Sequence, residues 1–81
     1  MRVTVRLFAR LHDVAGASEL VRDVQPGATI GAVWQQLASE VPGLAPYGRS
    51  VSSAVNADYA PMDTPVRDGD EIAFLPPVSG G

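Results

Sequence analysis

The segment from Thr29 to Val41 has apolar residues at helical spacing, and it limits the possible folds more than any other part of the chain. These apolar positions fall at i, i+3, i+4, i+7 and i+11 and therefore share one helical face. They are Ile30, Val33, Trp34, Leu37 and Val41. Thr29 is the predicted N-cap residue, and Pro42 with Gly43 ends the helix. A chain of 81 residues supports one small core, so we predict one core helix with Trp34 as a packing anchor.

Residues 2–8 alternate between apolar and polar side chains, which predicts a half-buried first strand. The buried face consists of Val3, Val5 and Leu7, and the other face of Arg2, Thr4, Arg6 and Phe8. Phe8 is the exception on an otherwise polar face. Two interpretations stay open: the next loop covers Phe8, or Phe8 belongs to an exposed docking patch.

Residues 9–15 predict a short helical turn that Gly16 closes at the C′ position. His12 in this turn is the one histidine of the chain, and no catalytic partner can be assigned to it by spacing, so we interpret it as a surface residue. Residues 18–24 predict a second strand. The connection is short, which favours an antiparallel pair with the first strand.

The second half of the chain predicts a loop at 44–50, a strand at 51–57 with Val55 pointing inward, and at most a short strand within 59–62. Asp68-Gly69-Asp70 is typical of a turn, and the spaced oxygen ligands of a calcium loop are absent around it. Residues 71–75 predict the last strand. Ile72 and Phe74 face the core, and Leu75 points to the opposite side.

These elements predict an α+β domain in which one main helix packs across a mixed sheet of four to five strands. Placing the last strand beside the first gives the β-grasp, or ubiquitin-like, arrangement, although periodicity alone does not establish that order. We expect residues 1–75 to form the β-grasp domain and residues 76–81 to form a flexible tail.

Charge and composition exclude several functions. The net charge of −3 argues against nucleic acid and against an anionic membrane surface as partners. The chain has neither cysteine nor lysine, so it offers no thiolate for catalysis or metal binding and no phosphate-binding loop lysine. No signal segment or apolar run of about 20 residues is present, and we expect a soluble cytoplasmic protein without a bound metal or cofactor.

The last six residues, Pro76-Pro77-Val78-Ser79-Gly80-Gly81, follow directly after the predicted last strand. Two prolines favour an extended conformation, and glycines lack the Cβ that would hinder entry into a narrow cleft. Six residues reach at most about 20 Å, enough to carry the Gly81 carboxylate into another protein. Simple fraying of a chain end is the alternative, but the adjoining strand favours a tail that is presented for chemistry.

The chain resembles the MoaD/ThiS family of ubiquitin-like sulfur carriers, and within it the small subunits of molybdopterin synthase. Several segments carry the resemblance. They are Leu7-Phe8-Ala9, Leu11-His12-Asp13-Val14-Ala15-Gly16, Val55-Asn56, and the block from Asp68 to Gly81 that ends in Pro-Pro-Val-Ser-Gly-Gly. The family often has an aromatic residue where this chain has Leu75, which preserves an apolar contact at that position.

The resemblance implies that an E1-like adenylating enzyme uses ATP to activate the Gly81 carboxylate, with Gly80 required beside it. A thiocarboxylate then forms and donates sulfur to a pterin precursor for the molybdopterin dithiolene. The implied partners are that enzyme and the large synthase subunit, with which a heterotetramer forms. The chain is thus a sulfur-donating subunit without a complete active site of its own. Three alternatives stay open: a thiazole (thiamine) pathway carrier, a protein modifier joined to amines through Gly81, and a binding module with an inert tail.

Strand alternation also predicts the residues that dock on these partners. Phe8 and Leu75 point away from the helix and lie close together if the first and last strands are neighbours. Tyr59 is a third candidate for the same apolar patch. Pro76, Pro77 and Val78 are expected to contact the partner as the tail enters it. The alternative is that the loop at 44–50 covers Phe8 and Leu75 as a small secondary core.

Overall fold

A five-stranded mixed sheet with a helix across one face is the main feature of the fold. The structure is a computed structural model, and it describes residues 1–77. The strands are β1 (Arg2–Leu7), β2 (Glu19–Asp23), β3 (Ser52–Val55), β4 (Asp58–Tyr59) and β5 (Glu71–Leu75). The helices are α1 (Arg10–Ala15) and α2 (Ile30–Glu40), and a 3-10 helix spans Pro42–Tyr47. Within residues 1–77, neither α-helix combines the length and the apolar character needed to cross a membrane.

The strands lie in the order β2-β1-β5-β3-β4, so the first and last strands are neighbours at the centre of the sheet. β1 and β5 run parallel, with Val5 opposite Ile72 and Leu7 opposite Phe74. The pairs β1–β2, β3–β5 and β3–β4 are antiparallel. This topology confirms the β-grasp arrangement and the predicted antiparallel first pair.

The core lies between α2 and the inner face of the sheet, by which we mean the face turned toward α2. The helix buries Ile30, Val33, Trp34 and Leu37, and the central strands bury Val3, Val5, Leu7, Ile72 and Phe74. The rings of Trp34 and Phe74 meet edge to face, with their centroids 4.9 Å apart. Each of these residues was predicted from periodicity, and Trp34 is confirmed as a packing anchor.

Caps end the two α-helices largely as the sequence predicts. The Thr29 hydroxyl oxygen accepts a hydrogen bond from the Ala32 amide at 3.2 Å, which satisfies one amide at the start of α2. Gly16 ends α1 in the left-handed region at φ 73°, and its amide donates to the His12 carbonyl. α2 itself ends at Glu40, so Val41 is its half-buried C-cap and not part of the helical face.

The predicted loop at 44–50 is wrong in its first half, because Pro42–Tyr47 forms a 3-10 helix. Leu44 is fully buried in the core, and the 3-10 helix packs against α1 and α2. A Cβ on Gly43 would come within 2.8 Å of a Val14 methyl group, so only glycine allows this close approach. The segment therefore lies on the helix side of the sheet and closes one end of the core.

The third strand and its turn follow the prediction closely. Val55 is half-buried and packs against the core, as expected from its position opposite Ile72. The short fourth strand comprises Asp58 and Tyr59 and so begins one residue earlier than predicted. Gly69 has φ 85° in the turn before β5, which confirms the turn predicted at Asp68-Gly69-Asp70.

Candidate docking face and root of the tail

The outer face of the sheet, opposite α2, carries the exposed large apolar residues of the described chain. Phe8 is 40% exposed, Val21 50% and Tyr59 79%. Strand pairing aligns one row of side chains across this whole face. From β4 to β2 the row consists of Tyr59, Ala54, Ala73, Arg6 and Glu19.

Phe8 and Leu75 both lie on the outer face, as strand alternation predicts, and the parallel pairing of β1 with β5 makes them neighbours. Leu7 is in register with Phe74, so the next residue of each chain segment comes alongside. The Phe8 amide also donates a hydrogen bond to the Phe74 carbonyl at 3.3 Å, which extends the pairing one residue beyond β1. Ala9 then turns the chain away at φ 51°. We call Phe8 and Leu75 the apolar pair.

Tyr59 lies apart from the apolar pair. It sits on edge strand β4, and β3 and β5 separate that strand from β1. Three inter-strand spacings correspond to about 14 Å. Ala54 and Ala73 lie between Tyr59 and Arg6 in this row. Because each alanine side chain is a single methyl group, the surface between Tyr59 and Arg6 is recessed. The predicted trio is thus a pair of residues on neighbouring chain segments, Phe8 and Leu75, with an outlying tyrosine on the same face.

Arg6 lies on the outer face of β1, next to the central strand β5 and beside the apolar pair. Its Cζ lies 5.8 Å from the centroid of the Phe8 ring, and its Nη1 lies 3.8 Å from an Oε of Glu71. Sequence analysis placed Arg6 on this face but gave it no role. The alternation of charged and apolar residues in β1 identifies the face, whereas the contact with Phe8 depends on where the chain turns after β1.

Asn56 links the β3–β4 turn to the beginning of β5, the strand that leads into the tail. Its side chain amide donates to an Oδ of Asp70 at 3.0 Å, and its side chain oxygen accepts from the Glu71 amide at 3.0 Å. The other Oδ of Asp70 accepts from the Arg67 amide at 2.8 Å. This network joins Asn56 to the Asp68-Gly69-Asp70 turn and fixes where β5 starts.

The described part of the chain ends at the root of the tail. β5 is the central strand, with Phe8 beside Leu75 on one side and Ser52 paired with Leu75 on the other. Pro76 is half-buried and Pro77 is exposed. The candidate residues Val78, Gly80 and Gly81, with Ser79 between them, lie outside the described residues, and so does most of the predicted tail.

His12 and Asp68 are two ionisable residues that the sequence singles out, and within residues 1–77 neither belongs to a cluster of possible metal ligands. His12 is exposed, and its Nδ1 lies 3.6 Å from an Oδ of exposed Asp13. Asp68 accepts a hydrogen bond from the Arg2 amide at 2.8 Å, as befits a turn residue. Within residues 1–77, no three His, Cys, Asp or Glu side chains are close enough together to hold a metal ion.

Comparison with protein families decides the affiliation. The model of the ThiS family matches residues 5–81, which is nearly the whole chain. The chain belongs to the ThiS family. Among curated relatives, the molybdopterin synthase sulfur carrier subunit of Mycobacterium tuberculosis is 42% identical over 59 residues, covering 73% of this chain and 71% of its own. The protein with the same description from Chlamydomonas reinhardtii is 34% identical over 83 residues and covers all of both chains.

Solved structures show the same fold. SAMP1 of Haloferax volcanii, a small archaeal modifier protein, superposes with a TM-score of 0.86 at 31% identity and covers all of both chains. A chain in the complex of subunits 1 and 2 of the molybdopterin-converting factor from Helicobacter pylori superposes with a TM-score of 0.69 at 27% identity, again over all of both chains. The family and the ubiquitin-like fold that the sequence resembled are thereby confirmed.

Proposed function

We propose that this ThiS-family chain is the sulfur carrier subunit of a molybdopterin synthase. In this proposal the carboxylate of Gly81 is adenylated, converted to a thiocarboxylate, and used to donate sulfur to a pterin precursor that becomes the molybdopterin dithiolene. The observation that carries the proposal is the similarity, over most or all of their length, to relatives described as molybdopterin synthase sulfur carrier subunits. The family match that continues to residue 81 supports the assignment of the reactive group.

The chemistry explains why a carrier of this kind needs an activating partner. An α-carboxylate is ionised at neutral pH and resists attack by nucleophiles. An E1-like enzyme would use ATP to form an acyl-adenylate, from which AMP leaves when a sulfur nucleophile attacks the carbonyl carbon. ATP is therefore the cosubstrate of the partner. The carrier contributes the reacting carbonyl and the glycines that let it enter a narrow cleft.

The geometry at the root of the tail agrees with such a role. The tail leaves the central strand directly beside the apolar pair, so a protein that receives the tail also meets Phe8 and Leu75. Exposed Pro77 stiffens the exit from the sheet. We propose that the apolar pair, Pro76, Pro77 and Val78 form the contact surface for these partners, with Tyr59 at its periphery.

The proposed partners are the large synthase subunit and the adenylating enzyme. The Helicobacter pylori structure is a complex of subunits 1 and 2 of a molybdopterin-converting factor, which supports a large-subunit partner for this chain. We propose a heterotetramer with that subunit in the cytoplasm. The carrier supplies the sulfur, and the pterin-binding site would belong to the large subunit.

A second candidate function is protein modification. The close superposition on SAMP1, a modifier protein, favours it, because the same activated carboxylate can react with an amine in place of a sulfur nucleophile. A third candidate, the carrier of thiazole biosynthesis, shares the ThiS family and the same thiocarboxylate. The candidates differ in the final acceptor, so product analysis distinguishes them.

Intact-mass measurement tests the proposal. The purified chain is incubated with its adenylating enzyme, ATP and a sulfur source, then weighed alone and after addition of the large subunit and the pterin precursor. We expect the mass increase of one oxygen-for-sulfur exchange, and its reversal as the dithiolene forms. A covalent adduct with a second protein would identify a modifier, and a stable thiocarboxylate that the synthase cannot discharge would favour the thiazole pathway. An unchanged mass would indicate an inert tail.

Variants at the last two residues locate the reacting group. Deletion of Gly81, or addition of one residue after it, should abolish sulfur transfer and leave the melting temperature unchanged, because the packed core ends before the tail. Gly80→Ala should slow adenylation and transfer at unchanged stability, since a Cβ would clash in a confining cleft. Undiminished transfer by the deletion variant would contradict the proposal.

A further inference from the structure

Arg6 differs from the other arginines of the sheet in having no hydrogen-bonding partner. A guanidinium has five N–H donors. None of those of Arg6 donates a hydrogen bond to residues 1–77, and its Nε is buried without a partner. Among the same residues, its one charged contact is with Glu71, where Nη1 lies 3.8 Å from an Oε. Both side chains are about half exposed, and ion pairs of that kind contribute little to stability.

Arg22, in the same sheet, differs from Arg6 because all three of its guanidinium nitrogens donate hydrogen bonds. Its guanidinium donates from two nitrogens to Glu40 at 2.7–3.2 Å and from the third to the Val21 carbonyl at 2.7 Å. That set of bonds ties β2 to the end of α2. Within residues 1–77, Arg6 ties no elements together in this way, although it lies on the outer face next to the central strand.

The surroundings of Arg6 hold its side chain in place while leaving its donors unused. The Phe8 ring lies 5.8 Å from the guanidinium carbon, within the range of a cation–π contact. Ala73, in register beside Arg6, carries only a methyl group. Two carboxylates lie near Arg6: that of Glu71, and that of Glu19, which is in register with Arg6 on β2. Neither accepts a hydrogen bond from Arg6. A planar guanidinium with free N–H donors is well suited to bidentate binding of a carboxylate.

We propose that Arg6 is a specificity-determining residue that binds an Asp or Glu carboxylate on the large synthase subunit. The apolar pair supplies the adjoining apolar contact. This inference rests on the proposed function and names the chemistry by which the partner is recognised. The net charge of the chain is −3, so its overall field does not attract an acidic surface, and the attraction has to come from a local positive centre. Arg6 provides that centre within the face beside which the tail leaves the sheet.

The test compares four forms of the full chain for binding to the large subunit by titration calorimetry at two salt concentrations. Arg6→Leu removes the charge, Arg6→Lys keeps the charge and loses the planar fork, and Arg49→Leu is the control. Arg49 is an exposed arginine in the turn after the 3-10 helix. Thermal melting of each form establishes that it is folded.

We expect Arg6→Leu to raise the Kd at least about tenfold and to lose most of the salt dependence that the unmodified chain shows. The Kd of Arg6→Lys should lie between those of the unmodified chain and Arg6→Leu. The Kd of Arg49→Leu should match that of the unmodified chain. Substituting surface Asp and Glu of the large subunit by Ala, with and without Arg6→Leu, then finds the recognised carboxylate. It is the residue whose effect disappears when Arg6 is absent.

Binding of Arg6→Leu within about twofold of the unmodified chain, at the same salt dependence, would overturn the inference and leave the proposed function intact. So would a search of the large subunit that finds no coupled carboxylate. Absence of both binding and sulfur transfer in the unmodified chain would overturn the proposed function itself, and the inference with it.

Discussion

The two faces of the sheet use apolar residues in different ways. On the inner face, Val5, Ile72 and Phe74 are completely buried against α2. On the outer face, Phe8 and Tyr59 are exposed. Burial on the inner face removes apolar surface from water and drives folding, whereas the outer residues gain little from folding. We infer that stability and partner binding reside on opposite faces of the same five strands.

Truncation of the inner face should have the largest effect. Phe74→Ala should lower the free energy of unfolding by about 3–5 kcal/mol, because it leaves a cavity and removes the edge-to-face contact with Trp34. Small domains have about 5–15 kcal/mol in total, so a large part of the stability is lost. Urea denaturation measures the loss. A change below about 1 kcal/mol would show that the inner face does not carry the stability.

Truncation of the apolar pair should affect binding and leave stability nearly unchanged. Phe8→Ala should cost about 2 kcal/mol of binding to the adenylating enzyme and the large subunit, a loss of about thirtyfold in affinity. Val21→Ala, at an equally exposed position on β2, is the matched control and should bind normally. If the melting temperature of Phe8→Ala falls sharply while affinity per folded molecule is constant, Phe8 is structural and the comparison of faces fails.

The hydrogen-bond network of Asn56 should contribute to the stability of the fold, as the inner face does, although Asn56 is exposed. Asn56→Ala should lower stability by about 1–2 kcal/mol, since it leaves the Glu71 amide and one Oδ of Asp70 without the partner that Asn56 provides, and keeps a β-carbon at φ 49°. Ala57→Gly, in the same turn at φ 75°, is the control and should be neutral or slightly stabilising. No measurable loss of stability in Asn56→Ala would show that the hydrogen-bond network does not hold the turn.

The smallest effect is expected at Tyr59. Because β3 separates it from Leu75, and β3 and β5 together separate it from Phe8, Tyr59→Ala should weaken binding to the large subunit by less than about threefold, or about 0.6 kcal/mol. The calorimetric assay used for Phe8→Ala measures it under the same conditions. A loss as large as that of Phe8→Ala would extend the docking surface across the whole outer face.

Local pattern in the sequence was sufficient for much of this protein. The spacing of Ile30, Val33 and Leu37 predicted α2 and its buried face, and Thr29 predicted its start. Alternation in β1 and β5 predicted which side chains point to each face. These features depend on residues a few positions apart, so helical and strand periodicity encode them directly. The docking role of Phe8, Tyr59 and Leu75 stays a prediction, as do the roles of Gly80 and Gly81.

Tertiary structure decided what depends on residues far apart in the chain. The parallel pairing of β1 with β5 joins segments about 70 residues apart and places Phe8 beside Leu75, which no local pattern specifies. Leu44 lies in a 3-10 helix that the sequence predicted as loop, because its Pro- and Gly-rich segment is helical only where it packs on α1 and α2. The unused donors of Arg6 likewise emerge only once the strands are assembled. Periodicity determines which way a side chain points, and only the assembled fold determines what it meets there.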